Sequence, residues 1–377
     1  MLYITPVSER GGAEVVLLNI LRHHDRARFT PIVCLLKAGP LSQDISALGI
    51  KWFSVSSGRF RNVFETVRAV REIRRIMRQY DVDLVFSNMA MGHLYGGLAV
   101  FGMPVKRVWF QHSISSGELI DRLAALIPAD RLYTNSQASL RAIRHLHPNA
   151  RGVQVIYPGT EIPHSVLPNE RALIRRSLGV PEDALVVAMV GRFQRGKGQH
   201  VFIEAAKAVR RQRSEAYFLL VGGTQFSLEP EYKVELEDLV QRYRLSNAVV
   251  FAGWRNDVPG LLSAVDVLVH PAIAPEALGL VVVEALLQGK PVVVSRQGGL
   301  TEIVSEGETG FLVPPGDGAA LASKILLLLS DEGLRKEMGE RGRKLVLKRF
   351  TMSRMIEELE QSYVDILDGR LSAEDPQ

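Results

Sequence analysis

Short runs of β-branched and aliphatic residues alternate with amphipathic stretches along nearly the whole chain, and this alternation restricts the fold more than any other feature. The sequence opens with "LYIT" at 2–5, a helix-like stretch at 13–24 and "FTPIVCLL" at 29–36. Strand, helix and strand in this order are typical of a parallel sheet with right-handed crossovers. Further strands are predicted at 83–87, 107–110, 131–134, 153–157, 184–190, 216–223, 248–253, 266–271, 291–295 and 310–314.

The rhythm is interrupted once, by the segment "PGTEIPHSVLP" at 158–168. Its prolines, Pro158, Pro163 and Pro168, remove backbone donors and disfavour a regular helix or a central strand. We therefore predict an interdomain connection here.

The length of 377 residues suits two compact domains. We predict an α/β protein with two doubly wound Rossmann-like domains at 1–160 and 171–350, facing each other across a cleft. A helix at 351–369 is predicted to pack back towards the first domain, and the tail after it is predicted to be disordered. Because such sheets bind ligands beyond the carboxyl ends of their strands, loops of both domains would line the cleft.

The amino-acid composition indicates the cellular compartment in which this protein would work. A single cysteine, Cys34, excludes a disulfide framework and a Cys-rich metal site, so no metal is expected and a reducing compartment is indicated. No apolar run reaches the roughly 18 to 20 residues that a membrane-spanning helix needs. The opening residues have neither the basic start nor the apolar core of a signal peptide. We therefore expect a cytoplasmic protein.

The net charge of +5 is distributed unevenly. Residues 1–170 hold 20 Lys and Arg against 13 Asp and Glu, whereas residues 171–377 hold 26 against 28. A basic first half attracts an acidic partner, which by charge alone could be nucleic acid, anionic lipid or a phosphorylated substrate.

The first candidate site is the pair Glu276 and Glu284, separated by seven residues. Glu276 is predicted in the loop after the strand that ends at His270, and Glu284 in the next helix. If that helix starts near Leu278, the pair spans at most about 12 Å, the reach from a sugar to a ribose across a diphosphate. Taken alone, two glutamates around a helix start are more often a first turn that suits the helix dipole and a solvated face than a ligand site. Three amides at this helix start would favour phosphate: those of Gly279, Leu280 and Val281.

The second candidate is "GRFQRGKG" at 191–198, which follows a predicted strand. Arg192 and Lys197 flank a glycine-containing turn, where a guanidinium and an ammonium could neutralise a diphosphate. Arg195 is predicted to be exposed and incidental. A surface turn with two cations is the alternative, and the spacing of a Walker loop is absent.

Two weaker signals lie in the first half. In "GGAE" at 11–14, Gly11 and Gly12 would allow a sugar or an anion to approach the backbone, and Glu14 suits the positive end of a helix. His112 follows the strand at 107–110, where a residue of the cleft would lie, although most single histidines there are only hydrogen-bonded.

The stretch at 59–80 carries apolar residues at helical spacing, and five of its arginines surround this apolar stripe: Arg68, Arg71, Arg74, Arg75 and Arg78. We predict that its apolar stripe packs in the core and that its arginines are solvated; docking on an anionic membrane is the alternative. Nucleic acid is not expected, because aromatic and basic residues are not interleaved. The Asp-x-Asp motif at 81–83 is interpreted as a turn between helix and strand rather than a metal site, because it precedes the strand at 83–87.

The blocks "GGAE", "GRFQRGKG", "HPAIAPEALGLVVVEALLQGKPVVVS", "GGLTEIV" and "TGFLVPPGD" follow one another over nearly the whole chain. Together they resemble the family-4 retaining glycosyltransferases of the GT-B fold. The chain departs from the family at Ala277 and Leu278, where many members have Gly or Pro followed by Phe, and this leaves the donor open.

The resemblance implies a role for each matching residue. Arg192 and Lys197 would hold the donor diphosphate, Glu276 the sugar hydroxyls and Glu284 the ribose. Gly12 would lie close to the donor, and His112 would lie beside the reacting sugar. Arg255 would lie by the base, mainly through its backbone.

It further implies an enzyme that transfers a sugar from a nucleotide-diphosphate sugar, such as a UDP-sugar, to an acceptor hydroxyl with retention, without a metal or cofactor. The acceptor would be a glycan, a lipid-linked molecule or a small molecule, bound by the first domain. Synthesis of a glycan, glycolipid or cell-surface polysaccharide would be the setting, at the inner face of the membrane if 59–80 docks there. Nucleotide-sugar epimerisation and a non-catalytic nucleotide-sugar binding subunit remain alternatives.

Overall fold

The computed structural model describes residues 1–9, 11–58, 62–147, 152–162, 168–224 and 229–370. It divides into two compact units, one formed by Met1–Gly159 with the segment from Met352 onwards, and one formed by Thr160–Thr351. The predicted disordered tail and Pro163 lie outside the described residues. No helix of the described part is both long enough and apolar enough to cross a bilayer.

The first unit holds a sheet of seven parallel strands within the described residues, in the order β3-β2-β1-β4-β5-β6-β7. The strands are β1 (Leu2–Thr5), β2 (Ile32–Leu35), β3 (Lys51–Ser54), β4 (Leu84–Asn88), β5 (Lys106–Gln111), β6 (Arg131–Thr134) and β7 (Val153–Val155). The helices are α1 (Gly12–His23), α2 (Leu41–Ala47), α3 (Val63–Gln79), α4 (Met89–Val100), α5 (Leu119–Ala125) and α6 (Gln137–Leu146).

In the second unit the described strands form a six-stranded parallel sheet in the order β10-β9-β8-β11-β12-β13. They are β8 (Val186–Val190), β9 (Tyr217–Val221), β10 (Val249–Gly253), β11 (Val267–His270), β12 (Val292–Ser295) and β13 (Gly310–Val313). The helices of the remaining chain are α7 (Pro168–Ser177), α8 (Gln199–Arg210), α9 (Tyr232–Arg242), α10 (Val258–Ala264), α11 (Leu280–Leu287), α12 (Leu300–Ile303), α13 (Gly318–Ser330), α14 (Glu332–Arg349) and α15 (Met352–Leu367).

The central strands are buried on both faces, which explains why their sequences are predominantly apolar. All four residues of β1, β2, β11 and β12 are buried. Each strand predicted from the sequence overlaps a strand of the structure, so these predictions are confirmed. The sequence analysis missed β3, an edge strand whose burial is incomplete, because its sequence lacks a continuous apolar run.

Helix α15 follows the second unit in the chain but packs on the first. Tyr363 is fully buried, with its ring centroid 6.2 Å from that of Phe86. The Tyr133 hydroxyl donates to Ser362 Oγ at 2.7 Å, and the Asp25 amide donates to Glu360 Oε1 at 2.8 Å. The core of the first unit is thus completed by the last helix.

Helix α3 corrects one prediction. Its middle and end reach the core through Ala69, Ile73, Ile76 and Met77, but Val63, Phe64 and Val67 are 70%, 90% and 40% exposed. The apolar stripe predicted at 59–80 is therefore wrong at its first residues, since helical periodicity alone does not show where the neighbouring sheet ends. Asp81 and Asp83 lie between α3 and β4, so the Asp-x-Asp motif is a turn at the amino edge, as predicted.

Candidate active site

Two loops at the carboxyl edge of the second sheet are joined through their backbones. One follows β8 at 191–198 and the other follows β11 at 271–279, and the two strands are neighbours in the sheet. The Gly196 carbonyl accepts from the amides of Ile273 and Ala274 at 2.8 and 3.0 Å. The loops therefore hold each other at a fixed distance.

Close approach of these loops requires a glycine at position 198. Gly198 has a φ of 82° and ends a 3₁₀ turn at Arg195–Lys197 before α8 begins. A Cβ there would lie 2.0 Å from the Pro271 carbonyl oxygen, which no side chain tolerates. Gly198 thus lets Lys197 approach the loop after β11.

Lys197, Glu276 and His270 meet at one carboxylate oxygen. Lys197 Nζ donates to Glu276 Oε2 at 2.5 Å, and His270 Nε2 lies 3.0 Å from the same oxygen. The Lys197 and Glu276 side chains are 23% and 15% exposed, and that of His270 only 3%. Burial alone would raise the pKa of Glu276, but the Lys197 ammonium and the His270 imidazole hold that pKa well below its usual range.

The helix after Glu276 begins at Leu280, two residues later than the sequence analysis expected. Gly279 precedes it with a φ of 90°, and its left-handed backbone turns the chain into the first helical turn. The amides of Gly279, Leu280 and Val281 lie at this N-terminus, where helix geometry leaves donors without intrahelical partners. The Gly299 amide also donates to the Glu276 carbonyl at 2.9 Å, which anchors the loop from the next segment.

Glu284 lies within α11, as predicted, and is half-buried. Burial raises the pKa of Glu284 to about 7, because a carboxylate is less well solvated there than in water. This carboxyl therefore changes its charge near neutral pH.

The three arginines predicted near this edge differ in their surroundings. The Arg192 carbonyl accepts from the buried Gln199 amide at 2.7 Å, which fixes the start of the loop. Arg195 is 59% exposed and pairs with Glu235 at 2.5 Å, which confirms that it points to solvent. Arg255 forms a two-point contact with Asp257, so its guanidinium is already engaged.

In the first unit, "GGAE" forms the start of α1. Gly11 is the residue before the helix, Gly12 is its first residue, and the Gly11 amide donates to Glu14 Oε2 at 3.1 Å. Glu14 therefore caps the helix, as its position suggested.

His112 directly follows β5 and is 9% exposed. Its ring stacks on Phe110 at 4.0 Å, and Asn135 Nδ2 donates to its carbonyl at 2.8 Å. Burial lowers the pKa of His112 to about 3, so the ring is neutral at physiological pH. Its Nε2 is buried and has no hydrogen-bond partner in the part of the chain that the structure describes.

A cavity of about 730 Å³ lies at the carboxyl edge of the first sheet. Hydroxyls and one amide line it together with apolar side chains. Met89, one of its lining residues, has a φ of 64°, a strained conformation for a side chain of this size. The lining residues are Pro6, Val7, Leu36, Lys37, Ala38, Ser54, Ser56, Ser57, Gly58, Met89, Ala90, Met91, Gln111, Ser113, Ile120 and Asp121.

The structure thus brings Lys197 and Glu276 into direct contact beside the N-terminus of α11. His112, Gly11 and Gly12 belong to the first unit. Sequence reasoning missed His270 as a site residue. Its signal was available, since it ends a strand of the parallel sheet at the carboxyl edge.

Two doubly wound parallel-sheet units with polar residues at their carboxyl edges define a GT-B type of protein. Residues 170–345 match the family of glycosyl transferases group 1, and residues 10–162 match glycosyltransferase family 4. The chain belongs to the family-4 glycosyltransferases of the GT-B fold.

Individual relatives agree with this assignment. The D-inositol 3-phosphate glycosyltransferase of Corynebacterium urealyticum is 35% identical over 218 residues, which are 56% of this chain and 51% of that protein. The chain thus spans about half the length of the curated relatives it matches. The crystal structure of Anabaena HepE in complex with UDP and glucose is 28% identical with a TM-score of 0.87, covering 96% of this chain and 98% of that one. Sucrose-phosphate synthase from Thermosynechococcus elongatus, 24% identical over 98% of this chain and 99% of that one, shares the fold with a TM-score of 0.83.

Proposed function

We propose that this protein transfers a sugar, with retention of configuration, from a nucleotide-diphosphate sugar to an acceptor hydroxyl. The observation that carries the proposal is the contact of Lys197 with Glu276 beside the N-terminus of α11. A cation, a carboxylate and free helix amides within one short segment suit a ligand that is half diphosphate and half sugar.

The role that we propose for each residue follows from the charge that develops on the donor during transfer. A departing diphosphate gains negative charge in the transition state, and groups that already face it lower the barrier. We assign this stabilisation to Arg192, Lys197 and the amides of the first turn of α11. Glu276 accepts from the hydroxyls of the donor sugar, and Glu284 accepts from the ribose.

His270 keeps the Glu276 carboxylate in place when Lys197 turns to the diphosphate. In the free protein, both residues engage Oε2 of Glu276. Once Lys197 has moved, the His270 contact still orients the carboxylate, so its other oxygen can face the sugar. In this arrangement the binding of the diphosphate and the release of Lys197 from Glu276 are coupled.

The donor that we propose is a UDP-sugar, because solved structures of HepE, 28% identical to this chain, contain UDP, or UDP-glucose. We propose that transfer needs no metal ion, since two cationic side chains and a helix N-terminus already oppose the diphosphate charge. Undiminished transfer in excess EDTA is the expected result.

We place the acceptor in the cavity of the first unit, whose hydroxyl-bearing side chains can bind the hydroxyls of a glycan, a lipid-linked sugar or a small molecule. The neutral His112 would contact the reacting sugar as a hydrogen-bonding group and not as a nucleophile. Products would contribute to glycans, glycolipids or cell-surface polysaccharides. A cytoplasmic location with peripheral contact at the inner face of the membrane belongs to the same proposal.

The experiment begins with a thermal-shift screen of nucleotide sugars, followed by measurement of released nucleotide diphosphate with pools of acceptors. Lys197→Ala should lower turnover at least about 100-fold, as the loss of a group that stabilises transition-state charge does. Glu276→Ala should lower turnover about 10- to 100-fold, because the hydroxyls of the donor sugar lose a charged hydrogen-bond acceptor. Arg195→Ala, which removes an exposed cation from the same loop, is the matched control and should leave turnover within about twofold. Near-normal turnover in both site variants would refute the assignment. Inversion at the anomeric carbon of the product, seen by NMR, would refute retention.

A further inference from the structure

We propose that the exposed face of α3 docks on an anionic lipid bilayer. The surface, called here the α3 stripe, consists of Phe64, Arg68, Arg71, Arg75 and Arg78. These residues follow one another at intervals of four, three, four and three, so they lie along one face of the helix. All five are exposed, and the stripe is about 21 Å long at the helical rise.

One end of the stripe is apolar. Phe64 is 90% exposed and Val63 is 70% exposed, whereas the opposite face of α3 is buried in the core. A shallow groove of about 410 Å³ is lined by Val63, Phe64, Val67, Arg68 and Arg71. A phenylalanine in this position is accessible for insertion among acyl chains while the arginines remain at the headgroups.

Acidic side chains offset the arginines only in part. Glu72 lies 3.9 Å from Arg75, and Glu65 is exposed near the start of α3. Arg74, half-buried, donates to the Phe101 carbonyl at 2.6 Å, and the Phe101 side chain is itself 76% exposed. The surface therefore combines excess positive charge with exposed aromatic side chains.

These features select a bilayer over other partners. A second copy of the chain in a two-fold contact would place the same arginines against each other, which costs free energy. Single-stranded nucleic acid is bound by aromatic side chains interleaved with cations, whereas in α3 the exposed Phe64 and two valines lie together at one end and no aromatic side chain alternates with the arginines. An anionic surface with an apolar interior matches both parts of the stripe.

The location is consistent with the acceptor cavity proposed above. The cavity lining reaches Gly58 and α3 begins at Val63, so at most about 18 Å of chain separates them. The docking itself does not rest on the proposed function, because it is measured without donor or acceptor.

The test is sedimentation of the full chain with vesicles of phosphatidylglycerol and phosphatidylcholine, compared with pure phosphatidylcholine, at low and high salt. The protein should bind only the anionic vesicles and should be released as salt rises. Each arginine near an anionic surface changes the partition coefficient about fivefold, so Arg71→Ala with Arg75→Ala should lower it about 25-fold. Phe64→Ser should lower it about tenfold.

Matched controls come from the second unit. Arg343→Ala with Lys344→Ala removes the same charge from the exposed face of α14, and Val234→Ser removes an exposed apolar side chain from α9. Both should leave binding within about twofold, and circular dichroism should show that every variant is folded. A wild type that stays in the supernatant with anionic vesicles, or equal losses in the α3 and α14 pairs, would overturn the proposal. Unchanged binding of Phe64→Ser would overturn the insertion of the apolar end.

Discussion

Changing the pH from 8 to 6 should weaken donor binding through a single carboxyl group, that of Glu284. Burial raises its pKa to about 7, so in the free protein the neutral acid predominates below that pH and the carboxylate above it. Ribose hydroxyls donate to a carboxylate, and the bound state therefore favours the charged form and lowers the pKa in the complex. Binding then releases a proton, and affinity rises as the pH rises through 7.

The magnitude follows from this pKa. With a free-protein pKa of about 7 and a complex pKa of about 4 or below, about nine tenths of the Glu284 carboxyls in the free protein are neutral at pH 6 and about one tenth at pH 8. The Kd should therefore be about tenfold higher at pH 6, equivalent to about 1.4 kcal/mol of binding free energy. Near pH 6, about 0.9 proton should be released for each donor bound.

Isothermal titration calorimetry with UDP-glucose measures both quantities, in buffers that differ in their ionisation enthalpy. UDP-glucose is a suitable probe because both its phosphates are esterified and do not titrate in this range. Glu284→Gln should give a Kd that changes little between pH 6 and 8, whereas Glu308→Gln, an exposed carboxyl of the same unit, should retain the wild-type slope. An identical slope in Glu284→Gln, or a flat profile in the wild type, would contradict the argument.

Three further changes test single contacts. His270→Ala should lower kcat/KM for the donor about 10- to 100-fold, because a hydrogen bond to a charged group is lost. His270→Gln should restore part of this activity, since its side-chain amide can donate to Glu276. Steady-state kinetics measure both variants, and equal defects would argue against a positioning role for His270. His112→Ala should lower turnover about 10- to 100-fold. The shape of the pH profile of turnover from pH 5 to 9 should stay the same, because the His112 ring has a pKa of about 3 and is neutral over this range. Loss of the acidic or basic limb of that profile in the variant would contradict this role. Gly198→Ala should lower the Tm by several degrees, since its Cβ would lie 2.0 Å from the Pro271 carbonyl; an unchanged melting curve would show that the loops can separate without cost.

Most strands could be predicted from the sequence because a strand buried on both faces is apolar at nearly every position. β1 and β12 are of this kind. β3 is an edge strand with exposed ends, and its sequence "KWFS" has no such run. Periodicity identified α3 as a helix, but the depth to which each end is buried depends on the sheet beneath it, which no local pattern contains.

The residues of the candidate site also differ in how far the sequence alone predicts their positions and contacts. The positions of Glu276 and Glu284 around a helix start follow from their spacing, and the left-handed Gly279 explains why the helix begins at Leu280 and not at Leu278. The contact of His270 with Glu276 depends on how the loop folds back over the end of β11. The engagement of Arg255 by Asp257 likewise depends on the local conformation and not on the residue types alone.

Helix α15 has a consequence for the order in which the chain acquires its structure during synthesis. The second unit is complete once residue 351 has left the ribosome, but Tyr363 reaches Phe86 and Tyr133 only after α15 has emerged as well. Until then the first sheet, although translated first, exposes an aromatic surface to solvent. A nascent chain that stalls before α15 would therefore present that surface to chaperones and proteases while its C-terminal unit is already folded.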